Sequence, residues 1–361
     1  MEGITAAVIA RDEERCIGRC LSSLLASDVD DVVLLDTGST DRTVATAAEL
    51  ATDRLRIVRS TWRDSFADAR NEALAAGANR TVVFLDADEW LEPPESRRLA
   101  AEVHRVREAG GYDALAPQIQ ESSTGEIFYG VTRIVLDSRE TSFRGVVHEY
   151  PAVASGRARI GKLGLTVMHD GYSLGAATRA TKARRNAELI GRELARTGGS
   201  ARARYFALME RLDHADEQRI LGAVEELRGA VDDPADPYPA EDYVRRGLIE
   251  AITHLIVIGA PTTALDLTGG LAEDTDAAYL RAMARIVKGE ASHDVLRDVI
   301  IARRLGTGTT TSSICPDGRH LDAVIAFLIG VRGDEDRAAR YRQASPAWTD
   351  PFFLNSMMRT A

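Results

Sequence analysis

The sequence predicts an α/β domain built on a mostly parallel, Rossmann-like sheet, followed by an all-α region. Three observations carry this. Short apolar runs alternate with segments of helical period through the first 85 or so residues. One of those runs, Val82-Val83-Phe84-Leu85, ends abruptly in Asp86-Ala87-Asp88-Glu89. From Leu174 onward Ala, Arg, Glu and Leu recur with a period near 3.6.

Ile4 to Ala10 reads as the first buried strand. Glu14 to Ala26 reads as a helix, with Ile17, Cys20, Leu21, Leu24 and Leu25 on one face. Asp31 to Asp36 is a second strand, after which Ser39 or Thr40 is expected to cap a helix running to about Ala51. Leu55 to Val58 is a third strand, Ser65 to Ala76 a helix, and Thr81 to Leu85 the fourth strand. Strand and helix in alternation imply right-handed crossovers and a parallel sheet. From Tyr112 to about Tyr172 the chain turns β-rich, with Glu126 to Leu136, Phe143 to His148 and Leu163 to Met168 as its apolar stretches. The expected domains are therefore residues 1–172 and 173–361. In the second, Asp232 to Pro237 and Gly306 to Ser313 read as loops. Ala323 to Ala344 is spaced somewhat like one tetratricopeptide unit, without a clean repeat.

The chain has 361 residues, 45% of them hydrophobic and 28% charged, enough for two domains with cores. Its net charge of −10 does not favour nucleic acid as a partner. Cys16, Cys20 and Cys315 form no disulfide framework, which fits a cytoplasmic protein. No signal peptide is legible, and no apolar window reaches the roughly 20 residues of a membrane span.

Asp86 and Asp88 should sit at the carboxyl edge of the sheet, where open α/β sheets bind ligands. Two hard carboxylates suit a divalent cation with positions left for substrate phosphates, although an acidic strand-to-loop turn reads the same way. Asp36-Thr37-Gly38-Ser39 ends the second strand and can grip a nucleotide sugar or serve as an ordinary turn. Arg11-Asp12-Glu13-Glu14 lies on the same edge, and its acids equally suit a helix start. In Trp62 to Asn71, Phe66, Arg70 and Leu74 share a helical face. Asp64 could cap that helix, and Arg70 needs a partner, carboxylate or phosphate. Arg144-Gly145-Val146-Val147-His148-Glu149 and His169-Asp170 end further strands, offering a metal ligand or a general base.

Taken in order, these segments resemble the family 2 glycosyltransferases of the GT-A fold, nearest to bacterial sublancin-type peptide S-glycosyltransferases that carry a tetratricopeptide-like tail. The matching pieces are Asp12-Glu13-Glu14, Asp36 to Thr43, Trp62 to Asn71, Asp86 to Glu89, Arg144-Gly145 with His148-Glu149, and His169 with Gly171-Tyr172. One position departs: the family usually has Asn where this chain has Asp12. The resemblance implies an inverting transferase using Mn²⁺ or Mg²⁺ and a UDP-, GDP- or dTDP-linked sugar. Its acceptor is left open among peptide, natural product and glycan, with O- or S-linkage. Ala10, Asp12 and Glu13 would line the base pocket and Asp36 would contact the nucleoside. Gly38, Asp64, Arg70, Asp86 and Ala87 would complete the donor site. Asp88 would hold the metal, with His169 as an extra ligand. Glu149 is the first candidate for general base and Asp170 the second; Glu89, Arg144 and His148 are further candidates. The helical half would bind acceptor or form a dimer. A sugar nucleotidyltransferase and a non-catalytic helical scaffold are the rival readings.

Overall fold

The computed structural model describes residues 3–50, 52–128, 130–170, 176–212, 215–306, 312–315 and 317–344. Gly171, Tyr172, Leu174 and the loop residues 307–311 lie outside the described residues.

The first compact unit comprises residues 1–199 and 232–239. Its elements in chain order are β1 (Ile4–Ala10), α1 (Ile17–Leu25), β2 (Asp31–Asp36), α2 (Thr43–Glu49), β3 (Leu55–Arg59), α3 (Phe66–Ala76), β4 (Thr81–Asp86) and β5 (Glu89–Trp90). Then follow α4 (Pro93–Ser96), α5 (Leu99–Ala109), β6 (Ala114–Glu121), β7 (Ile127–Phe128), β8 (Ile134–Val135), β9 (Thr141–Arg144), β10 (Tyr150–Val153), β11 (Ile160–His169) and α6 (Ala176–Thr197). Nine of the described strands form one sheet in the order β3-β2-β1-β4-β8-β6-β11-β5, with β7 beside β6; β9 and β10 pair separately.

β1 to β4 are mutually parallel. β8 runs antiparallel to both β4 and β6, and β11 is parallel to β6, so the long strands all point the same way. Their carboxyl ends therefore share one edge. The register places Ala10 beside Asp36, Ile9 beside Asp86, and His169 beside Glu121. Successive strand residues face opposite layers. Val8, Leu34 and Leu85 pack with Ile17, Cys20, Leu21 and Leu24 of α1, while Phe84 and Ala7 pack with Ala73 and Leu74 of α3.

Local chemistry corrects three expectations. Ser65, not Asp64, caps α3, its hydroxyl accepting from the Asp68 N–H at 3.1 Å. Asp64 instead adopts φ +57. Ser39 and Thr40 do not cap α2; its N-cap is Arg42, and Ser39 to Asp41 form a turn in which the Thr40 and Asp41 N–H groups donate to Asp12. The run Phe143 to His148 is strand only to Arg144, because Gly145 at φ +89 and His148 at φ +52 turn the chain. Likewise Glu126 to Leu136 keeps only β7 and β8. β6 and α5 were not legible; Pro117 and Gln118 interrupt the apolar pattern of β6. The unit also extends past residue 172, taking in α6 and recapturing 232–239. There Arg157 donates to the carbonyls of Asp233 and Tyr238, and the Tyr150 hydroxyl donates to Asp233.

The second unit spans residues 200–231 and 240–361, and its described residues are mainly helical. It contains α7 (Ala201–Leu212), α8 (Glu217–Arg228), α9 (Ala240–Val257), α10 (Pro261–Thr268), α11 (Thr275–Val287), α12 (His293–Leu305), α13 (Arg319–Gly330) and α14 (Glu335–Ala344). Asp216, Asp274 and Ser292 cap α8, α11 and α12. Gly247 lets α9 pack closely, since a Cβ there would lie 2.2 Å from the Leu227 Cδ2 and 3.2 Å from the Leu208 Cδ2 and those side chains would have to shift. The stretch Ala323 to Ala344 forms the helical pair α13–α14. No helix among the described residues is long and apolar enough to cross a membrane.

Candidate active site

The carboxyl edge of the first unit gathers most of the residues singled out in the sequence. Between β1 and β2, the Thr37 N–H and hydroxyl donate to the Ala10 carbonyl at 3.0 and 3.2 Å. Asp12, at φ +56, accepts from the Thr40 N–H at 2.7 Å and the Asp41 N–H at 3.3 Å, and its own N–H donates to Ser39. These bonds, that from the Thr40 N–H above all, hold its carboxyl below the usual range. Asp36 is 1% exposed and takes the Ser39 N–H at 3.1 Å, with Gly38 at φ +108 making the turn. Glu13 lies close enough to Cys16 for its carboxylate to accept the thiol at 3.2 Å; burial pushes the Glu13 pKa up. The Cys16 thiol is itself driven up to about 12, by burial first and then by Glu13.

At the centre lies a chain of ion pairs. Glu149 accepts from Arg70 Nε. Arg70 Nη2 donates to Asp86 Oδ1 at 3.0 Å. Arg133 Nη2 donates to the other Asp86 oxygen at 2.6 Å, and its Nε and Nη2 reach Glu89 at 2.9 and 2.6 Å. Glu89 closes the loop by accepting the Asp86 N–H at 3.0 Å. Arg133 is placed by the sheet: its N–H donates to Leu115 of β6 and its carbonyl accepts from Phe84 of β4. Arg70 lies over the rings of Phe84 and Phe143 at 4.9 and 5.7 Å. For Asp86 desolvation works against ionisation, but Arg133 and then Arg70 outweigh it and hold the carboxyl at about 2. Burial dominates at Glu89 and raises its pKa despite Arg133. The Asp86 side chain remains 43% exposed, so this otherwise enclosed network opens at one carboxylate.

Beside it, Asp88 Oδ2 lies 3.7 Å from His169 Nε2 and 3.8 Å from Lys182 Nζ of α6. His169 Nδ1 is 2.9 Å from the fully buried carboxylate of Glu121. A carboxylate only accepts, so Nδ1 carries the proton there, and Nε2 is the ring nitrogen that faces Asp88. That is the arrangement of a metal-ligating imidazole oriented by an outer carboxylate. Among the described residues no group of three His, Cys, Asp or Glu side chains could hold a metal. A divalent ion held here would take one hard carboxylate oxygen and one imidazole nitrogen from the protein and would have most of its coordination left for phosphate and water. The Asp170 N–H donates to the Asp88 carbonyl, and its carboxylate accepts from Arg15 and Arg19 at 2.8 and 2.9 Å.

The structure therefore brings together Arg70, Asp86, Glu89 and Glu149 in one network, and Asp88, His169 and Asp170 in the adjoining one. Ala87 forms the short turn between the two aspartates. Three predicted residues lie outside these contacts. Asp64 pairs with Arg192 of α6 at 2.6 Å with both side chains exposed, Arg144 is exposed at the end of β9, and His148 is exposed in its left-handed turn. Sequence reasoning missed Arg133, Glu121, Lys182, Arg15 and Arg19. Arg133 had a signal, a charge inside the apolar run Val131 to Leu136, which demands a partner. Glu121 ends a strand as Asp86 does. Lys182 had none among the many basic residues of α6.

A mixed sheet whose strand-end acids line one edge, with an Asp-x-Asp turn leading into a short antiparallel strand, defines a GT-A-type domain. The model of glycosyl transferase family 2 matches residues 5–156 of this domain. A TPR repeat-containing protein of Synechococcus elongatus is 32% identical over 150 residues, which is 41% of this chain and 35% of that protein. The succinoglycan biosynthesis protein ExoU of Rhizobium meliloti is 33% identical over 115 residues, 31% of this chain and 32% of its own length. The chain thus matches about a third of the length of these relatives. Staphylococcus aureus TarS 1–349, solved in complex with UDP-GlcNAc, aligns over 96% of this chain and 94% of its own, with 12% identity and a TM-score of 0.42.

Proposed function

We propose that this chain is a metal-dependent, inverting glycosyltransferase that moves a sugar from a nucleoside-diphosphate donor, UDP-, GDP- or dTDP-linked, to a hydroxyl or thiol acceptor. The observation that carries the reading is the pair Asp88–His169 at the sheet edge, with His169 fixed by Glu121, inside a family 2 domain.

The roles come from the family resemblance, and the positions of these residues at the sheet edge support them. Ala10, Asp12, Glu13, Asp36 and Gly38 line the nucleoside end. Asp86 lies next to the ribose, with its charge secured by Arg70 and Arg133. Asp88 and His169 would hold Mn²⁺ or Mg²⁺, which supplies charge neutralisation for the departing diphosphate. Glu149 takes the acceptor proton at the oxygen that Arg70 Nε does not hold; Asp170, already paired with two arginines, stands second. As the acceptor O–H or S–H bond breaks, its heteroatom bonds to the anomeric carbon, and the glycosidic C–O pair leaves with the nucleoside diphosphate. A single displacement of this kind inverts the anomeric centre. A general base contributes on the order of 10² to 10⁴ fold, least for a thiol that is already partly ionised. Acceptors to be screened include peptides, natural products and glycans.

The test is donor turnover with each of the three nucleotide-sugar classes. EDTA should stop turnover and Mn²⁺ should restore it. Turnover that persists undiminished in EDTA overturns the metal-dependent reading, and release of pyrophosphate from a nucleoside triphosphate instead would make the chain a nucleotidyltransferase.

A further inference from the structure

Helix α6 places two cations over the acid-lined edge. Lys182 and Arg185 lie three residues apart and so on one helical face. Lys182 Nζ sits 3.8 Å from Asp88, and its charge also acts on Glu13 of the β1 loop. It therefore stands between two loops that the transferase reading assigns to the donor. Arg185 lies over the Phe66 ring at 5.0 Å, at the start of α3. Its guanidinium donates only to the side chain of its neighbour Asn186, at 3.1 and 3.4 Å, and no carboxylate pairs with it among the described residues. Desolvation lowers its pKa, and the Glu13 charge opposes that shift. Most other arginines of this unit that approach the edge are already matched: Arg70, Arg133, Arg15 and Arg19 all meet carboxylates.

The helix is also fastened to the loops around the site. Arg192 pairs with Asp64, and Glu193 accepts the Val146 N–H at 3.2 Å, while Val146 in turn accepts the Phe66 N–H at 2.9 Å. Those anchors fix the face that carries Lys182 and Arg185 over Asp88 and Phe66. A face held in place, with one guanidinium lacking a carboxylate and one ammonium sharing Asp88, suits an anion entering next to Asp88.

We propose that Lys182 and Arg185 of α6 form a cationic clamp for the diphosphate of the donor, alongside Asp88 and His169. The proposal rests on the transferase reading above. It makes α6 part of the donor site and not merely a connector to the helical unit.

Calorimetric titration of UDP, GDP and dTDP, and of the corresponding nucleosides, in Mn²⁺ tests it. Charge-assisted hydrogen bonds of this kind imply a loss of about tenfold or more in diphosphate affinity for Lys182→Met and for Arg185→Met, and no change for the nucleoside. Lys182→Arg should recover most of the loss. Circular dichroism and melting temperature, expected to match wild type, verify that the variants are folded. Wild type that binds no diphosphate overturns the transferase reading and the clamp together. Wild type that binds one diphosphate, with both Met variants equal to it, overturns the clamp alone. Equal losses for nucleoside and diphosphate also overturn it, since they would mark a structural role.

Discussion

The sheet edge of the first unit and the α11–α13 region of the second both bury carboxylates beside arginine, yet the two arrangements end differently. In the second, Asp276 is fully buried. It accepts from Arg245 at 2.7 Å, from the Ser313 N–H at 2.8 Å and from the Ser312 hydroxyl. Asp322 accepts from Arg303 at 2.8 and 3.0 Å and from the Tyr341 hydroxyl at 3.1 Å. Internal donors enclose both acids. At the sheet edge the network stops short of closure: Asp86 stays accessible and Asp88 faces His169 across 3.7 Å. A closed network fixes a fold, whereas an open one keeps capacity for a ligand. Burial of charge alone does not separate the two; the accessible acceptor does.

That contrast can be broken most forcefully at Asp88. Asp88→Ala should lower transfer by about 10³-fold while leaving the melting temperature nearly unchanged, because losing charge stabilisation of a leaving group is worth several kcal/mol. Steady-state kinetics and a thermal melt measure the two halves. Asp276→Ala should do the reverse: it takes the acceptor from the Ser312 hydroxyl and the Ser313 N–H and leaves Arg245 with Asp274 at 2.9 Å, which is expected to cost about 3 kcal/mol of stability, read by urea denaturation, with nucleotide affinity intact. If Asp276→Ala abolished donor binding, the division between closed and open networks would collapse.

Arg133→Met sharpens the comparison, since Arg133 belongs to both categories. It is buried, and among the described residues it is the one partner of the Glu89 carboxylate besides the Asp86 N–H. Its loss should destabilise the domain by about 2 kcal/mol or more and also weaken donor affinity, because Asp86 loses a charge that keeps it ionised. Denaturation and titration of the same sample separate the two effects.

The acid limb of stability gives a smaller signal. Asp86 has a folded-state value of about 2 against 3.8 as a free side chain. The unfolded chain therefore takes up this proton first as pH falls, and the stabilisation present above pH 4 is lost toward pH 2. Glu89 is shifted upward, so its contribution has the opposite sign, present at low pH and lost as pH rises through its raised value. Asp86→Asn should flatten the fall in melting temperature between about pH 4 and 2. Equal slopes for the variant and wild type would contradict the assigned charge network. The smallest expected effect concerns Cys16: with its thiol near 12, alkylation by iodoacetamide at pH 8 should be far slower than for a free cysteine.

Much of the first unit is legible because β1, β2 and β4 are almost fully buried, and β2 and β4 end in abrupt polar turns at Asp36 and Asp86. The same pattern pointed to the acids of the site. What failed was local geometry. Asp12, Asp64 and His148 all adopt positive φ, a conformation uncommon for residues with a side chain; Asp12 and Asp64 follow β1 and β3 of the main sheet, and His148 sits in the turn between β9 and β10. Propensity could not signal it, so Asp64 was read as a cap. Arg133 and Glu121 join the site through sheet register, with β8 antiparallel between β4 and β6, and no local period encodes that pairing. Lys182 arrives from a helix assigned by composition to the other domain.

The central claim is that the open acid pair binds a sugar nucleotide through a divalent cation. Its most direct test is a calorimetric titration of UDP-, GDP- and dTDP-sugars into wild type and Asp88→Ala, each with Mn²⁺ and with EDTA. One nucleotide class should bind wild type, lose at least about tenfold in affinity on chelation, and bind Asp88→Ala equally with and without the metal. Binding of wild type that is indifferent to EDTA, or Asp88→Ala retaining the full Mn²⁺ effect, would contradict it.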